Sequence, residues 1–473
     1  MDKQLATLNQ RTLHRTSNTS AAIPAYLRQG VSPGVVHLGL GAFSRAHQGL
    51  VFDDLLAAGD ARWGVLGVAT RSWTLADALA RQDGLYAVKL ANAAGSRWRV
   101  AGSLLQTCAA KREPERVHAA IAGKATRWVT LTMTEKGYDA SLALLLVEGL
   151  RQRAATGLGG LTIASCDNLS NNGDKLKALC LEHSAGTSLS AWIMRECRFP
   201  NSMVDRIVPA ASEACAHEAA EALGVLDATA LSTEVFWQWV IEESFVEAND
   251  ARVLSAVGVT VVPDVEPFED AKLRMLNGSH SALACLGALL GLSTVFDGVS
   301  QPVVRQFLFQ LMSVEVMPHL KRPDLAAYRD ALLQRFENPE IRHGVHQIAS
   351  DSSKKIGLRW IPSILAQLQA HGAIQHHAFA AAAWMRYCLG RDDQGQSYAI
   401  NDPQALRMTE LAHTHQTDAQ ATVTAFLQLE SIWGTKLLGN AAWKDAVAYW
   451  LQKINSAGTA CALQALVESS DGR

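Results

Sequence analysis

The chain has 473 residues, too many for one hydrophobic core, so roughly two or three domains are expected. Hydrophobic residues make up 48% and charged residues 19%, which excludes a wholly disordered protein. The 43 Lys and Arg residues nearly balance the 45 Asp and Glu residues, and a formal net charge of −2 does not favour binding to nucleic acid or to an anionic membrane surface. The composition therefore predicts a soluble globular protein.

The cellular compartment is predicted from the start of the chain and from the cysteines. The first 20 residues are polar and lack the apolar core of a signal peptide. The longest apolar stretch, Ala282 to Leu292, is about half the length that crosses a bilayer. Eight cysteines occur without a CxxC motif, which is typical of buried free thiols. We expect a cytoplasmic protein.

The first half of the chain alternates short apolar runs with longer helical or irregular stretches. A polar arm covers residues 1–33, and a helix is predicted over residues 46–58. This alternation predicts an α/β domain with a mainly parallel, Rossmann-like sheet. The predicted strands lie at residues 35–41, 63–70, 127–133, 161–166 and 257–262.

From about Glu269 the sequence changes character. Long stretches rich in Ala and Leu follow one another, and strand patterns nearly vanish. We therefore expect a dinucleotide-binding domain over residues 1–268 and an all-helical substrate and catalytic domain over residues 269–473. His376 and His377 are predicted to lie on the surface of a helix in this second domain.

A glycine turn, Gly39-Leu40-Gly41, closes the first predicted strand and precedes a helix. In this context the first glycine permits a tight turn and the second lets the backbone approach a pyrophosphate. Ser44 stands at the third position of the GxGxxG pattern, so the match is partial, and an ordinary strand–helix turn is the alternative. After the second strand there is no acid for the ribose of NAD. Arg71 stands there instead and suits the 2′-phosphate of NADP.

The segment PFEDAKLRMLNGSH, residues 267–280, carries the richest chemistry. On an α-helix at about 100° per residue, the side chains of Glu269, Lys272, Asn277 and His280 fall within an arc of roughly 140°. A buried lysine can remove the proton of an alcohol, and asparagine amides can donate to the developing alkoxide. A second asparagine is available in CDNLSNNG, residues 166–173, directly after a predicted strand.

Other catalytic patterns have little support. The sequence has no HExxH, GxSxG or Walker A motif and no closely spaced Cys and His pair, so we expect no metal at the site. The YxxxK spacing of Tyr449 and Lys453 lies deep in helical sequence, far from the glycine turn, and is interpreted as chance.

Six motifs in order resemble the mannitol dehydrogenase family, the zinc-independent, long-chain polyol and hexuronate dehydrogenases. The motifs are GLGAFSRAHQ (39–48), TEKGY (134–138), SCDNLSNNG (165–173), FPNSMVDRIVP (199–209), QWVIEE (238–243) and KLRMLNGSHS (272–281). A later segment, SDSSKKIGLR (350–359), also resembles the family pattern, although Ser352 replaces a glycine.

The resemblance implies a role for each matching residue. Lys272 would be the general base, and Asn168 and Asn277 the pair that stabilises the oxyanion. His280 would bind a substrate hydroxyl, and Glu269 would carry protons out. The other implied residues are Asp205, Lys355 and Arg359 at the substrate, and Gly39, Gly41, Phe43 and Arg45, with Arg71, at the cofactor.

The resemblance also implies an NAD(P)-dependent oxidoreductase acting on a CH–OH group, with NAD favoured over NADP. The main interpretation is interconversion of a linear polyol and its ketose. Reduction of a hexuronate, as by a fructuronate reductase, is the alternative. A hexuronate needs a cation for its carboxylate, and Trp237 stands where that branch tends to have arginine. We expect a small-molecule substrate, no nucleic-acid or membrane partner, and a monomer or small homo-oligomer.

Overall fold

The computed structural model describes residues 5–134, 137–340 and 343–471. The chain divides into two compact units, Met1–Glu266 and Pro267–Arg473. The division falls after Glu266, whereas the change in sequence character places it after residue 268.

The strands belong to the N-terminal unit. They are β1 (Pro33–Leu38), β2 (Gly64–Ala69), β3 (Tyr86–Asn92), β4 (Gly95–Ala101), β5 (Leu104–Ala109), β6 (Trp128–Leu131), β7 (Thr162–Ser165), β8 (Ser202–Asp205), β9 (Leu231–Glu234), β10 (Gln238–Glu242) and β11 (Thr260–Val262). The helices of this unit are α1 (Ala42–Ala46), α2 (Gln48–Ala57), α3 (Thr74–Arg81), α4 (Pro114–Ala122), α5 (Ala140–Ala155), α6 (Asn172–Ser184), α7 (Ser188–Glu196), α8 (Glu213–Leu223) and α9 (Asp250–Ala256). Short 3-10 helices cover Leu13–Asn18, Arg28–Gly30 and Ala61–Trp63.

Five strands form a parallel sheet in the order β5-β2-β1-β6-β7. Successive residues of β1 point to opposite faces. Val35 packs in a core cluster with Leu50 of α2, whereas Val36 packs in another with Leu146 of α5. Helices therefore cover both faces, which explains why the strands read as continuous apolar runs. The predicted Rossmann-like class is confirmed.

Two smaller sheets complete the N-terminal unit, in the orders β11-β10-β8 and β4-β3-β9. The hairpin of β3 and β4, the edge strand β5 and strands β8, β9 and β10 are absent from the sequence prediction. In β4 the residues at positions 95–97 are exposed, and the strand mixes Arg, Ser and Trp, so it lacks the apolar run by which β1, β2, β6, β7 and β11 were predicted.

The regular elements of the C-terminal unit, within the described residues, are helices. They are α10 (Glu266–Ala271), α11 (Gly278–Leu289), α12 (Val295–Val299), α13 (Pro302–Gln310), α14 (Leu325–Phe336), α15 (Val345–Ala349), α16 (Ser352–Arg359), α17 (Ile361–Gln369), α18 (Gln375–Tyr387), α19 (Ala405–Thr414), α20 (Ala419–Leu427), α21 (Glu430–Trp433), α22 (Ala441–Ala457) and α23 (Thr459–Asp471). A first π-helix, Lys272–Asn277, joins α10 to α11. A second π-helix, Leu311–Val316, follows α13 and precedes a 3-10 helix, Met317–His319.

The prediction that His376 and His377 lie on a helix surface is wrong. Both are buried, and their backbone N–H groups donate to the two carboxylate oxygens of Glu315, at 2.7 and 2.9 Å. The carboxylate thus caps the start of α18. Burial alone would raise the pKa of Glu315, but hydrogen bonds from both histidine side chains lower it to about 2.

Cysteines and apolar helices complete the comparison with the sequence. Seven of the eight free cysteines are buried, as predicted, but Cys461 on α23 is exposed. Among the described residues, no helix combines the length and apolar character that spanning a bilayer requires.

Candidate active site

The glycine turn lies at the carboxyl end of β1, where the strand order of the parallel sheet reverses between β1 and β6. Such switch points are where doubly wound sheets bind ligands. Gly39 has a φ of +97°, and a Cβ there would lie 2.2 Å from the carbonyl oxygen of Thr132, after β6. The Thr132 hydroxyl donates to the Gly39 carbonyl at 2.8 Å. Only glycine fits this position.

The space next to Gly41 decides whether a dinucleotide could approach the turn. Its φ is −147°, and a Cβ there would meet only the Gly39 carbonyl oxygen, at 3.6 Å. The fold itself therefore does not require glycine at this position, and the space beside the turn stays open. Helix α1 begins at Ala42, and the first N–H groups of a helix lack intrahelical acceptors. The turn can thus accommodate a pyrophosphate.

Two of the predicted cofactor residues support the turn from within. Arg45 is buried, and its Nε donates to the Gly41 carbonyl at 3.1 Å while Nη1 donates to the Thr229 carbonyl. Its guanidinium also lies over the Tyr86 ring, 5.4 Å from the centroid. Phe43 stacks on His47 with ring centroids 5.2 Å apart. Arg45 and Phe43 therefore contact protein groups in and next to the turn, and we expect them to stabilise its shape.

Arg71 is exposed in the loop that follows β2. Its Nη2 donates to the Thr134 hydroxyl at 3.1 Å. Because Thr134 follows β6 and β1 lies between β2 and β6, this side chain reaches across the carboxyl end of β1. A cation in this position can meet a phosphate of a bound dinucleotide.

Asn168 is exposed in the loop after β7, also at the carboxyl edge of the sheet. The preceding residue, Asp167, was missed by the sequence analysis. Its carboxylate accepts hydrogen bonds from the Thr134 backbone N–H at 2.7 Å and the Tyr138 hydroxyl at 3.0 Å. Burial raises the pKa of Asp167. This carboxylate joins the loops after β6 and β7 and so orients the segment that carries Asn168.

Asp205, the last residue of β8, is buried in one of the small sheets. Strand β8 begins beside the end of β7, because the Ser202 hydroxyl donates to the Ser165 carbonyl. Asn172 joins the same two regions, since its Nδ2 donates to the carbonyls of Asp167 and Ser202 at 2.9 and 2.7 Å.

The first π-helix has Lys272 at its start and Asn277 at its end. The α-helical placement of these residues at about 100° per residue is wrong here, because a π-helix has i→i+5 hydrogen bonds and more residues in each turn. Lys272 is 9% exposed, and His280, in the first turn of α11, is 7% exposed. The His280 ring stacks on Phe336 with centroids 4.4 Å apart.

Helix α16 carries the two predicted cations of the C-terminal unit, Lys355 and Arg359. Arg359 Nη1 donates to the Asn277 carbonyl at 3.1 Å and to the Ser281 hydroxyl at 2.7 Å. Lys355 Nζ donates to the carbonyls of Ile348 and Ser350. Burial lowers the pKa of both, that of Arg359 to about 10.

The serine that replaces a glycine in this segment is accommodated without strain at that position. Ser352 is buried, its hydroxyl donates to Asp402, and it accepts a hydrogen bond from the Trp384 indole at 2.9 Å. The left-handed residue is the preceding Asp351, with a φ of +53°.

Glu269 lies on α10, one helical turn before Lys272, and is half-buried. In the part of the chain that the structure describes, no group of three or more His, Cys, Asp or Glu residues is arranged to hold a metal ion.

These features define a doubly wound dinucleotide-binding unit followed by a helical unit that carries a buried lysine and an asparagine on one π-helix. A family profile for the mannitol dehydrogenase Rossmann domain matches residues 33–253, and one for the mannitol dehydrogenase C-terminal domain matches residues 264–455. The chain belongs to the mannitol dehydrogenase family, as its motifs predicted. It is an oxidoreductase of that family, acting on CH–OH groups.

Individual relatives extend along nearly the whole chain. D-mannonate oxidoreductase of Escherichia coli K12 is 37% identical over 93% of this chain and 97% of its own length. Mannitol 2-dehydrogenase of Pyrenophora tritici-repentis is 34% identical over 91% of this chain and 81% of its own. The structure of Pseudomonas fluorescens mannitol 2-dehydrogenase, a ternary complex with NAD and D-mannitol, has a TM-score of 0.82 and 30% identity, covering 98% of this chain and 99% of that one.

Proposed function

We propose that the protein is an NAD(P)-dependent dehydrogenase that interconverts a secondary alcohol of a linear polyol and the matching ketose. The observation that carries the proposal is the first π-helix, which holds a buried lysine and an asparagine at its two ends, with His280 in the turn that follows. A base and an amide donor on one rigid element are what oxidation of an alcohol requires.

Lys272 acts as the general base, and its neutral amine takes the proton of the reacting hydroxyl. The nicotinamide, when bound, supplies the acceptor for the hydride. The side-chain amides of Asn168 and Asn277 donate to the oxygen as negative charge develops on it, without changing their protonation. His280 binds a neighbouring substrate hydroxyl, Glu269 passes the proton towards solvent, and the remaining proposed substrate residues are Asp205, Lys355 and Arg359.

The cofactor part of the proposal rests on the glycine turn. Gly39 shapes the turn, Gly41 leaves the space for the pyrophosphate, and Phe43 and Arg45 hold the turn in place. NAD is favoured, because the Pseudomonas fluorescens relative is described with NAD. Arg71 leaves NADP as the alternative.

A hexuronate is the second candidate substrate. The similarity to D-mannonate oxidoreductase favours it, and so do the cations on α16. A planar arginine suits a carboxylate. Against it, Arg359 and Lys355 already donate to protein oxygens, and Trp237 offers an aromatic surface.

The decisive experiment is a substrate panel. Purified protein would be assayed with mannitol, arabinitol, fructose, fructuronate and mannonate, each with both nicotinamide cofactors, before and after prolonged chelation. We expect metal-independent oxidation of a polyol, because Lys272 supplies the base. Activity confined to hexuronates would select the second candidate. Activity that is lost on chelation and restored by zinc would contradict the lysine mechanism.

A further inference from the structure

Two neighbouring side chains of the C-terminal unit contact the end of the first π-helix through its main chain. Arg359 Nη1 donates to the carbonyl oxygen of Asn277 at 3.1 Å. The indole Nε1 of Trp360 donates to the carbonyl oxygen of Gly278 at 2.9 Å. These two carbonyls mark the junction between the π-helix and α11, where the hydrogen-bond register of the helix changes.

At this junction the end of α16 packs closely against the start of α11. Trp360 is 1% exposed, and a Cβ at Gly278 would lie 3.3 Å from the carbonyl oxygen of Arg359. Arg359 also donates to the Ser281 hydroxyl at 2.7 Å, so its guanidinium spans the first turn of α11. The end of α16 and the start of α11 are therefore fixed relative to each other by three hydrogen bonds.

A third side chain ties the first π-helix to the segment around His319. Arg274, in the middle of the π-helix, is buried, and its Nη2 donates to the carbonyl oxygen of His319 at 2.6 Å. Burial lowers the pKa of Arg274 and of Arg359. Burying a guanidinium is costly unless its donors are satisfied, so the hydrogen bonds to the carbonyls of Asn277 and His319 offset part of that cost, although the buried Nε of Arg274 makes none among the described residues.

We infer that Arg359 and Trp360 are positioning residues, which fix the main chain at Asn277 and Gly278 so that the Asn277 amide is aimed at the substrate oxygen. This rests on the proposed function of Asn277 as an oxyanion donor. For Arg359, this role through the protein main chain replaces the substrate-binding role that the family resemblance implies. Misplacing a catalytic group by about 1 Å can cost about 10²-fold in rate.

The test compares Trp360→Phe with a matched control, Trp450→Phe. Trp450, on α22 of the same unit, is also buried. It donates its indole N–H to Gln375 at 2.8 Å, and neither residue belongs to the first π-helix or to α16. Each variant loses one N–H donor and keeps an aromatic ring. We expect turnover of Trp360→Phe to fall about 10- to 100-fold with KM and the cofactor Kd unchanged, whereas Trp450→Phe keeps wild-type turnover.

A double-mutant cycle separates positioning from a general loss of structure. If Trp360 acts through Asn277, adding Trp360→Phe to Asn277→Ala should cost less than about 3-fold further. The same full loss in both backgrounds would overturn the inference, and so would equal turnover of Trp360→Phe and Trp450→Phe. A wild-type protein that neither oxidises polyols nor reduces hexuronates would instead overturn the proposed function, and this inference with it.

Arg359→Lys distinguishes positioning from binding of a substrate carboxylate. The lysine keeps the charge but loses the planar fork. Positioning predicts a similar fall in turnover for charged and uncharged substrates. A loss seen only with hexuronates, and only in KM, would show that Arg359 binds the substrate carboxylate and would overturn the role assigned to it here.

Discussion

Replacing Gly39 by alanine should destabilise the N-terminal unit by a large amount for a single methyl group. A side chain at a φ of +97° costs about 1–2 kcal/mol, and the new Cβ would lie 2.2 Å from the Thr132 carbonyl oxygen. Relieving that contact disturbs the Thr132 hydrogen bond to the Gly39 carbonyl and the Gly39 N–H bond to Val68, each worth about 1 kcal/mol. The sum is about 3–4 kcal/mol.

The assay is the thermal unfolding midpoint of the protein without cofactor, followed by circular dichroism. For a unit of this size each kcal/mol corresponds to about 2–4 °C, so we expect the midpoint of Gly39→Ala to fall by about 6–16 °C. Gly41→Ala is the matched control, because its φ of −147° suits alanine and its Cβ meets only a carbonyl 3.6 Å away. Its midpoint should stay within about 1 °C of the wild type.

Cofactor binding should be weakened by Gly41→Ala, the variant whose stability is unchanged. Gly41→Ala places a methyl group where the pyrophosphate approaches the backbone, so its Kd for NAD and NADP should rise at least about 10-fold. Titration followed by tryptophan fluorescence would measure this. An unchanged midpoint for Gly39→Ala would refute the steric argument. A wild-type Kd for Gly41→Ala would show that the pyrophosphate does not approach this turn.

Three further predictions concern charged groups. Lys272→Ala removes the general base, so turnover should fall at least about 10²-fold and the rate should no longer rise with pH. The pH–rate profiles, recorded with and without added primary amines, measure both effects. A variant with wild-type turnover and wild-type pH dependence would refute the assignment. Arg71→Ala should raise the Kd for NADP more than that for NAD if the guanidinium meets the 2′-phosphate, and an equal rise would place it on the pyrophosphate. Glu315→Gln should lower stability at pH 7, because the pKa of Glu315, about 2, lies below its value in an unfolded chain. The stabilisation is complete above about pH 4.5 and is lost as pH falls towards 2, so urea unfolding midpoints of variant and wild type should converge on acidification.

The central sheet could be predicted because its strands are short apolar runs that end in glycine or polar turns. Residues 35–41 show this most clearly, since burial on both faces removes the need for polar residues in β1. Strand β4 could not be found in this way, because its exposed residues carry polar and charged side chains. Strand β4 forms by pairing with β3, and the pattern of apolar residues along one segment does not report on such pairing.

In the candidate site, too, contacts between distant parts of the chain could not be predicted from local sequence. The spacing of Lys272 and Asn277 was visible in the sequence, but a helical template assumes a regular period and cannot predict the π-helix. The contact of Arg359 with the Asn277 carbonyl joins residues 82 positions apart. The partner of His376, Glu315, lies 61 positions earlier, so a surface interpretation of the histidine pair was the only one that local sequence supported.

The distribution of the cysteines makes this chain suitable for labelling at one chosen position. Seven thiols are buried, and burial raises the pKa of each of them, so they are poor nucleophiles towards a maleimide at neutral pH. Cys461 is exposed on α23, near the end of the chain. A fluorophore or spin label added to the native protein therefore attaches at Cys461 without any prior removal of cysteines, and it reports on the C-terminal unit alone.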